Sequence, residues 1–354
     1  MKKESLLIII FIWISISTYA LNKKNRSKTT SNSSVILKAS GCTPPTARKY
    51  LEFNNVSALL RNDGVMWEDK SRRKPEYEVP KGSGEYVIYA GSLWLGGKDV
   101  NNQLKLAAMT YDGNDFWSGP LQYRKATPGV IENGTLGYGS AKTNADVCQE
   151  YDDFYITERK EVEKFNAWFE CINDPNCNDN IEFPNYQIPK SIMDWPGNFN
   201  PQISGSISDL DTYDPNLAPY FDRNNDLIYN PLDGDYPWYD LTSEIDCRTN
   251  RRVTLYGDYN MWWVFNDNGN IHSCSQGDPI GMEIKAQAFA FATNDEINSM
   301  TFYNYELINR STLTLYDTYF AVFMDADIGC SQDDYTGCDV QRGLGYAYNG
   351  DATD

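Results

Sequence analysis

MEIKAQAFAFA (Met282 to Ala292), MTFYNYELIN (Met300 to Asn309) and LYDTYFAVFM (Leu315 to Met324) are three apolar-rich runs joined by short polar connections. In the first, Ile284, Ala286, Ala288 and Ala290 recur at every second position, the period that places side chains on one face of a strand. Three such strands with short connections predict an antiparallel meander. Strands this long and regular favour a sandwich or jelly-roll.

The same texture extends towards the N-terminus. Glu85 to Leu95 alternates through Tyr86, Ile88, Leu93 and Leu95, and Leu104 to Tyr111 is its expected partner across a turn region at Gly96-Gly97. One helix is expected near 157–171, where Val162, Phe165 and Trp168 or Phe169 recur at helical spacing among Glu and Lys. From Asn173 to Asp246 the chain is rich in Pro, Asn and Asp with little periodicity, so something besides a core is expected to order it. The fold class that follows is mainly β, an antiparallel β-sandwich or jelly-roll with one short helix and long Asp/Asn/Pro-rich loops. It divides into an N-terminal β-rich region (42–172), a loop-rich acidic segment (173–246) and the meander (247–354). The strand-like Gly345 to Tyr348 stands just before Asp354, and the β material is expected to continue beyond it.

The first twenty residues read as a signal peptide. Lys2 and Lys3 give a positive start, Leu6 to Ser17 is apolar and uncharged, and Thr18-Tyr19-Ala20 offers small residues for cleavage. The apolar run is too short for a membrane-spanning helix, which takes about 20 residues, and no later segment is apolar enough to span. Residues 21–41 read as a flexible polar tether. At its end Ala39-Ser40-Gly41-Cys42 resembles a lipoprotein cleavage site but stands too far beyond the apolar run to serve as one. Export to a secreted or cell-surface location is the expectation.

A formal net charge of −18 argues against nucleic acid as a partner, because phosphates repel carboxylates. It fits carboxylates that hold divalent cations. Eight cysteines are compatible with disulfides in an oxidising compartment, Cys171 to Cys177 and Cys330 to Cys338 being the local closures. The single histidine, His272, is expected in a surface loop; without a GxSxG elbow it gives no support for a serine hydrolase, and nucleotide-binding glycine motifs are absent.

Asp222-Arg223-Asn224-Asn225-Asp226-Leu227-Ile228-Tyr229-Asn230-Pro231-Leu232-Asp233 carries the sharpest chemical pattern. Asp222, Asn224, Asp226 and Asp233 stand at positions 1, 3, 5 and 12, with the Ile228 carbonyl at position 7, the spacing by which a loop wraps calcium in oxygen ligands. Leu227 occupies position 6, where the turn wants Gly, and position 12 is Asp in place of Glu. Asp211, Asp214 and Asp235 are further candidate oxygens. A weaker cation candidate is the crowd of Asp325, Asp327, Asp333 and Asp334, where like charges repel and a divalent ion would relieve them. The same residues could instead form a glycosidase acid–base pair or a plain acidic loop. Trp117, Trp195, Trp238, Trp262 and Trp263 stand beside polar residues, as sugar-stacking platforms do, although a buried core is the expected home for most.

Several stretches carry a family resemblance: NNVSALLRNDG (Asn54 to Gly64), GSLWLGG (Gly91 to Gly97), NDFWSGP (Asn114 to Pro120) and DDYTGCD (Asp333 to Asp339). Together they resemble a family of large, uncharacterised proteins exported by Bacteroidetes, which typically end in a type IX secretion sorting domain. The resemblance implies cell-surface or extracellular delivery and carries no catalytic residues with it. The reading is a calcium-stabilised β protein, secreted or on the cell surface, with an adhesive or structural role and glycans or surface partners as its ligands. The alternative is a polysaccharide-active enzyme or carbohydrate-binding module.

Overall fold

Strands with one apolar face need a second apolar face to cover it, and two antiparallel sheets meet that need here. The computed structural model describes residues 41–123, 141–201, 213–242 and 254–351. The stretches read as a signal peptide (1–20) and as a tether, the latter up to residue 40, lie outside the described residues. All those described belong to one compact unit, Ala39–Asp354.

The first sheet orders its strands Arg48–Leu51, Ser57–Arg61, Val65–Met66, Tyr86–Lys98 and Tyr316–Ala326, with Tyr77–Glu78 and Leu104–Ala108 also paired into it. The second orders Tyr155–Glu158, Tyr259–Asn266, Met282–Ala290 and Phe302–Asn309, with Trp117–Ser118 on Tyr259–Asn266. Leu60, Met66, Leu93 and Leu95 of the first sheet pack in one core with Met261, Trp263, Phe265, Ile284, Ala286, Ala288 and Ala290 of the second. The alternation of the Met282–Ala290 strand thus points its small side chains inward, opposite bulky partners: Ala286 pairs with Tyr305 and Ala288 with Tyr303. Small against large keeps the layer filled without strain.

The molecule is mainly β and sandwich-like, but the last strand leaves the meander. Met282–Ala290 and Phe302–Asn309 pair as expected. Tyr316–Ala326 crosses to the first sheet and pairs antiparallel with Tyr86–Lys98, Phe320 opposite Leu95 and Val322 opposite Leu93. Gly97 makes room for the crossing, since a Cβ there would stand 3.3 Å from the Leu315 Cβ. Gly96 and Gly97 are therefore strand residues, and the turn to Leu104–Ala108 falls later. It is built by Asp99, whose Oδ1 accepts the backbone N–H groups of Asn101 and Gln103, each at 2.9 Å. Both sheets take strands from both ends of the chain, so the regions 42–172 and 247–354 interlock within one unit.

The outer face of the second sheet has its own cover. The helix Arg159–Asn173 buries Val162 and Phe165, and Ile192, Trp195, Leu217, Tyr229, Tyr236 and Tyr239 join them over Trp262 and Val264. The segment 173–246 therefore contributes a core where its described residues run. Its aromatic residues are spaced irregularly because loops, unlike a helix or strand, present them without a period. Cys171–Cys177 closes the local bridge at the helix end, and Cys42–Cys148 forms a second bridge. That bond consumes the Cys42 thiol, which leaves none for a lipid. Cys338 is a free thiol, so the Cys330–Cys338 closure is not made; Cys338 lies in a hairpin strand opposite Gly345, and strand pairing directs it. Cys247 lies outside the described residues.

His272 is buried, against its expected surface position. Its Nδ1 lies 2.7 Å from the Leu106 carbonyl and its Nε2 2.6 Å from that of Asp267, and Trp117 stacks on the ring. Trp117, Trp195, Trp262 and Trp263 are all buried, and Trp238 is half-buried.

Candidate cation sites and an aromatic cleft

The Asp222–Asp233 loop is organised around its first residue. Asp222 Oδ1 accepts the N–H of Asn225 at 2.7 Å and of Asp226 at 3.3 Å, and Oδ2 accepts that of Leu227 at 2.8 Å. Asn224 Oδ1 accepts the Asp226 N–H, and Asp226 Oδ1 accepts that of Ile228. This winding forces Asn225 to φ 61° and Leu227 to φ 67°, the left-handed region that glycine adopts without penalty. Position 6 of the loop thus takes the glycine-like conformation expected of it, with leucine carrying the strain. Leu227 itself is exposed.

The structure brings Asp222, Asn224 and Asp226 together and gives position 12 a different task. Asp233 ends the short turn Pro231–Asp233, where its Oδ2 accepts from Asn230 Nδ2 at 2.6 Å. Asp235 stands behind the loop instead. It is buried and accepts the N–H groups of Arg223 at 2.8 Å and Asn230 at 2.9 Å. Burial pushes its carboxyl up to about 6, and the charges of Asp222 and Asp226 add to the shift. Of the other candidates, Asp214 pairs with Arg310 and Asp211 lies outside the described residues. Among the described residues no three acidic, histidine or cysteine side chains already converge on one point; the loop carboxylates are turned onto the loop's own backbone.

The second acidic group sits where the Tyr316–Ala326 strand ends. Asp325 Oδ2 accepts the Tyr111 hydroxyl at 2.7 Å, and burial together with this bond pushes the phenol up to about 12. Asp327 is raised above the ordinary carboxylate range by burial, then by the charges of Asp334 and Asp325. Asp334 Oδ2 accepts the Ile328 N–H and Asp333 Oδ2 that of Asp351. The other oxygens, Asp333 Oδ1 and Asp334 Oδ1, are shielded from water and have no hydrogen-bond partner among the described residues. Glu68, which nothing in the sequence marks, acts with Asp325 on the same Tyr111 phenol. Its side chain is buried, its Oε2 has no partner among the described residues, and burial pushes its carboxyl up to about 7.

A cleft of about 270 Å³ opens on the outer face of the second sheet, lined by Tyr220, Trp238, Trp262, Gln287, Asn304 and Glu306 among others. The register explains its floor. Trp262, Gln287 and Asn304 are cross-strand neighbours in one row, and Lys285 and Glu306 in the next. The aromatic cover of residues 213–241 lies over Tyr259–Asn266 and stops at Met282–Ala290, leaving Asn304 and Glu306 exposed. Sequence reading reached the tryptophans here but not the polar row, because Gln287 and Asn304 look like ordinary alternation in a strand until the register aligns them.

Comparison with known proteins gives no match to a family model, a curated protein or a solved structure.

Proposed function

We propose that the protein is a calcium-stabilised β-sandwich, secreted or displayed on the cell surface, with an adhesive or structural role. The observation that carries the reading is the path of the Asp222 loop. Its first carboxylate gathers the N–H groups of the turn, and position 6 takes the left-handed conformation that the calcium-loop pattern reserves for glycine. Asp222, Asn224 and Asp226, with the Ile228 carbonyl, are the oxygens that would hold a hard cation once turned off the loop's own backbone, and Asp233 would join them on release from Asn230. Asp325, Asp327, Asp333 and Asp334 form a second, weaker one, supported by the two shielded, unpartnered oxygens. Two disulfides support an oxidising compartment, and among the described residues no helix is long and apolar enough to cross a membrane. Delivery by a type IX route is the export path proposed, on the resemblance of its sequence phrases.

The test is calorimetry and thermal melting with calcium and with a chelator. Calcium bound only by the folded loop stabilises it by about 2.7 kcal/mol at a hundred times the dissociation constant. Chelation should lower the melting temperature, and Asp222→Ala combined with Asp226→Ala should reproduce that loss. No calcium uptake at millimolar concentration, with melting indifferent to the chelator, would overturn the reading.

A further inference from the structure

We propose that the cleft bounded by Tyr220, Trp238, Gln287, Asn304 and Glu306 binds a neutral, hydroxyl-rich saccharide. The proposal names a partner for the adhesive role and rests on that reading for its setting, while the binding itself stands on the cleft alone.

The argument begins behind the cleft, in a chain of hydrogen bonds whose direction is fixed. The Thr157 backbone carbonyl can only accept, so the Tyr239 hydroxyl, at 3.2 Å, donates to it. The Tyr239 oxygen then accepts from Asn260 Nδ2 at 2.6 Å, which turns Asn260 Oδ1 towards Gln287 Nε2 at 2.8 Å. Gln287 therefore ends the chain with its Oε1. That oxygen has no partner among the described residues, and the residue is 3% exposed. A buried amide oxygen left without a donor is destabilising. Gln287 lines the cleft, so a ligand donor is what completes it.

The rest of the lining says what kind of donor. Glu306 beside it presents a carboxylate to solvent and Asn304 an amide, so the cleft favours a ligand with several hydroxyl groups. Lys285 does not offer a counter-charge: its Nζ donates to the Asn216 carbonyl at 2.7 Å and lies 3.7 Å from Asp214. Trp238 and Tyr220 supply aromatic surface at the rim, against which the CH faces of a pyranose pack. A formal charge of −18 over the chain repels anionic polymers, which selects neutral sugars over uronic or sulfated ones. The volume lies just below the range of about 300–1,000 Å³ typical of drug-sized ligands, which suits one or two sugar rings. Among the described lining residues Glu306 is the one carboxylate, whereas hydrolysis of a glycosidic bond takes a pair; the cleft is therefore proposed to bind.

The experiment titrates the full exported chain with a panel of neutral oligosaccharides of glucose, mannose, galactose and xylose, read by calorimetry and saturation-transfer NMR. Polygalacturonate and an unrelated peptide library serve as comparison ligands. Saturable binding of a neutral sugar is expected, weakened about tenfold or more in Asn304→Ala and Glu306→Ala. Both residues are exposed, so melting temperature should stay unchanged in these variants. Gln287→Leu should also abolish binding, and its melting curve reports whether the fold survives. Each titration is run with calcium and with chelator. Sugar binding that persists when melting proves indifferent to calcium would leave this proposal standing and remove the calcium reading. No saturable neutral sugar across the panel, binding unchanged in Asn304→Ala and Glu306→Ala, or preference for the anionic polymer or peptides would overturn it.

Discussion

Arg310 Nη2 lies 2.7 Å from Glu283 Oε1, an ion pair with both side chains withdrawn from solvent. The guanidinium also meets Asp214 at 2.8 Å, and Glu283 Oε2 accepts the Leu121 N–H at 2.9 Å. The pair therefore ties the end of the Phe302–Asn309 strand to the loop cover and to the segment just after the Trp117–Ser118 strand. Removing one partner strands the other charge in the interior, which costs about 3–5 kcal/mol. Arg310→Met should destabilise by that amount in denaturant unfolding. Arg310→Met with Glu283→Met should recover part of the loss, because the abandoned carboxylate is gone.

Leu227 carries left-handed backbone at an exposed position, so its side chain gives little in return. Leu227→Gly should stabilise the loop by about 1 kcal/mol and tighten calcium binding in the same sense. A weaker calcium affinity in Leu227→Gly than in the parent would mean that the loop uses another register.

The pH dependence follows from Glu68. Its folded carboxyl is raised to about 7 from an ordinary 4.5, with burial the leading cause. Between those values the folded protein holds a proton that the unfolded chain has released, so stability falls as pH rises through that window. Above it the ionised carboxylate is a standing cost of about 1–3 kcal/mol. Glu68→Gln should flatten the slope between about pH 5 and 7 and be more stable than the parent at pH 8. Unfolding midpoints across that range decide it, and a slope unchanged in Glu68→Gln would count against this assignment.

Alkylation before reduction should label Cys338 and spare Cys42, Cys148, Cys171 and Cys177. Peptide mass mapping checks this residue by residue. Labelling of Cys171 or Cys177 would contradict the local bridge.

Tyr316–Ala326 forms the edge of the first sheet with Tyr319 76% and Val322 60% exposed. A long apolar edge is a template for pairing with another chain. Sedimentation should show concentration-dependent association of the described unit, and Val322→Lys should reduce it.

Much of the sandwich was legible from period-two alternation alone. Ile284, Ala286, Ala288 and Ala290 face the core as read, and Val162 and Phe165 place the helix within about two residues. The destination of Leu315 to Met324 was not legible, because a strand's pattern states which face is apolar and says nothing about which sheet receives it. The segment 173–246 misled for a related reason: Trp195, Tyr229 and Tyr239 are core residues delivered by loops, where no period announces them. At the candidate sites, spacing found Asp222, Asn224 and Asp226. Asp235 and Glu68 owe their shifted titration to burial, a property of the folded neighbourhood. Gln287 owes its place to cross-strand register, which a linear reading does not contain.

The crossing of Tyr316–Ala326 also sets a clock. Leu95 meets Phe320 across roughly 225 residues of chain, and contacts so distant in sequence form late and slowly. A ribosome that has made Tyr86–Lys98 must add nearly the whole remainder of the described chain before the partner strand exists. Until then the first sheet lacks its last member, and Trp94 lacks the ring of Phe323 that stacks on it. A polypeptide that cannot finish folding while it is being made keeps apolar strand surface exposed for longer, so the first sheet depends on nearly the whole described chain being present.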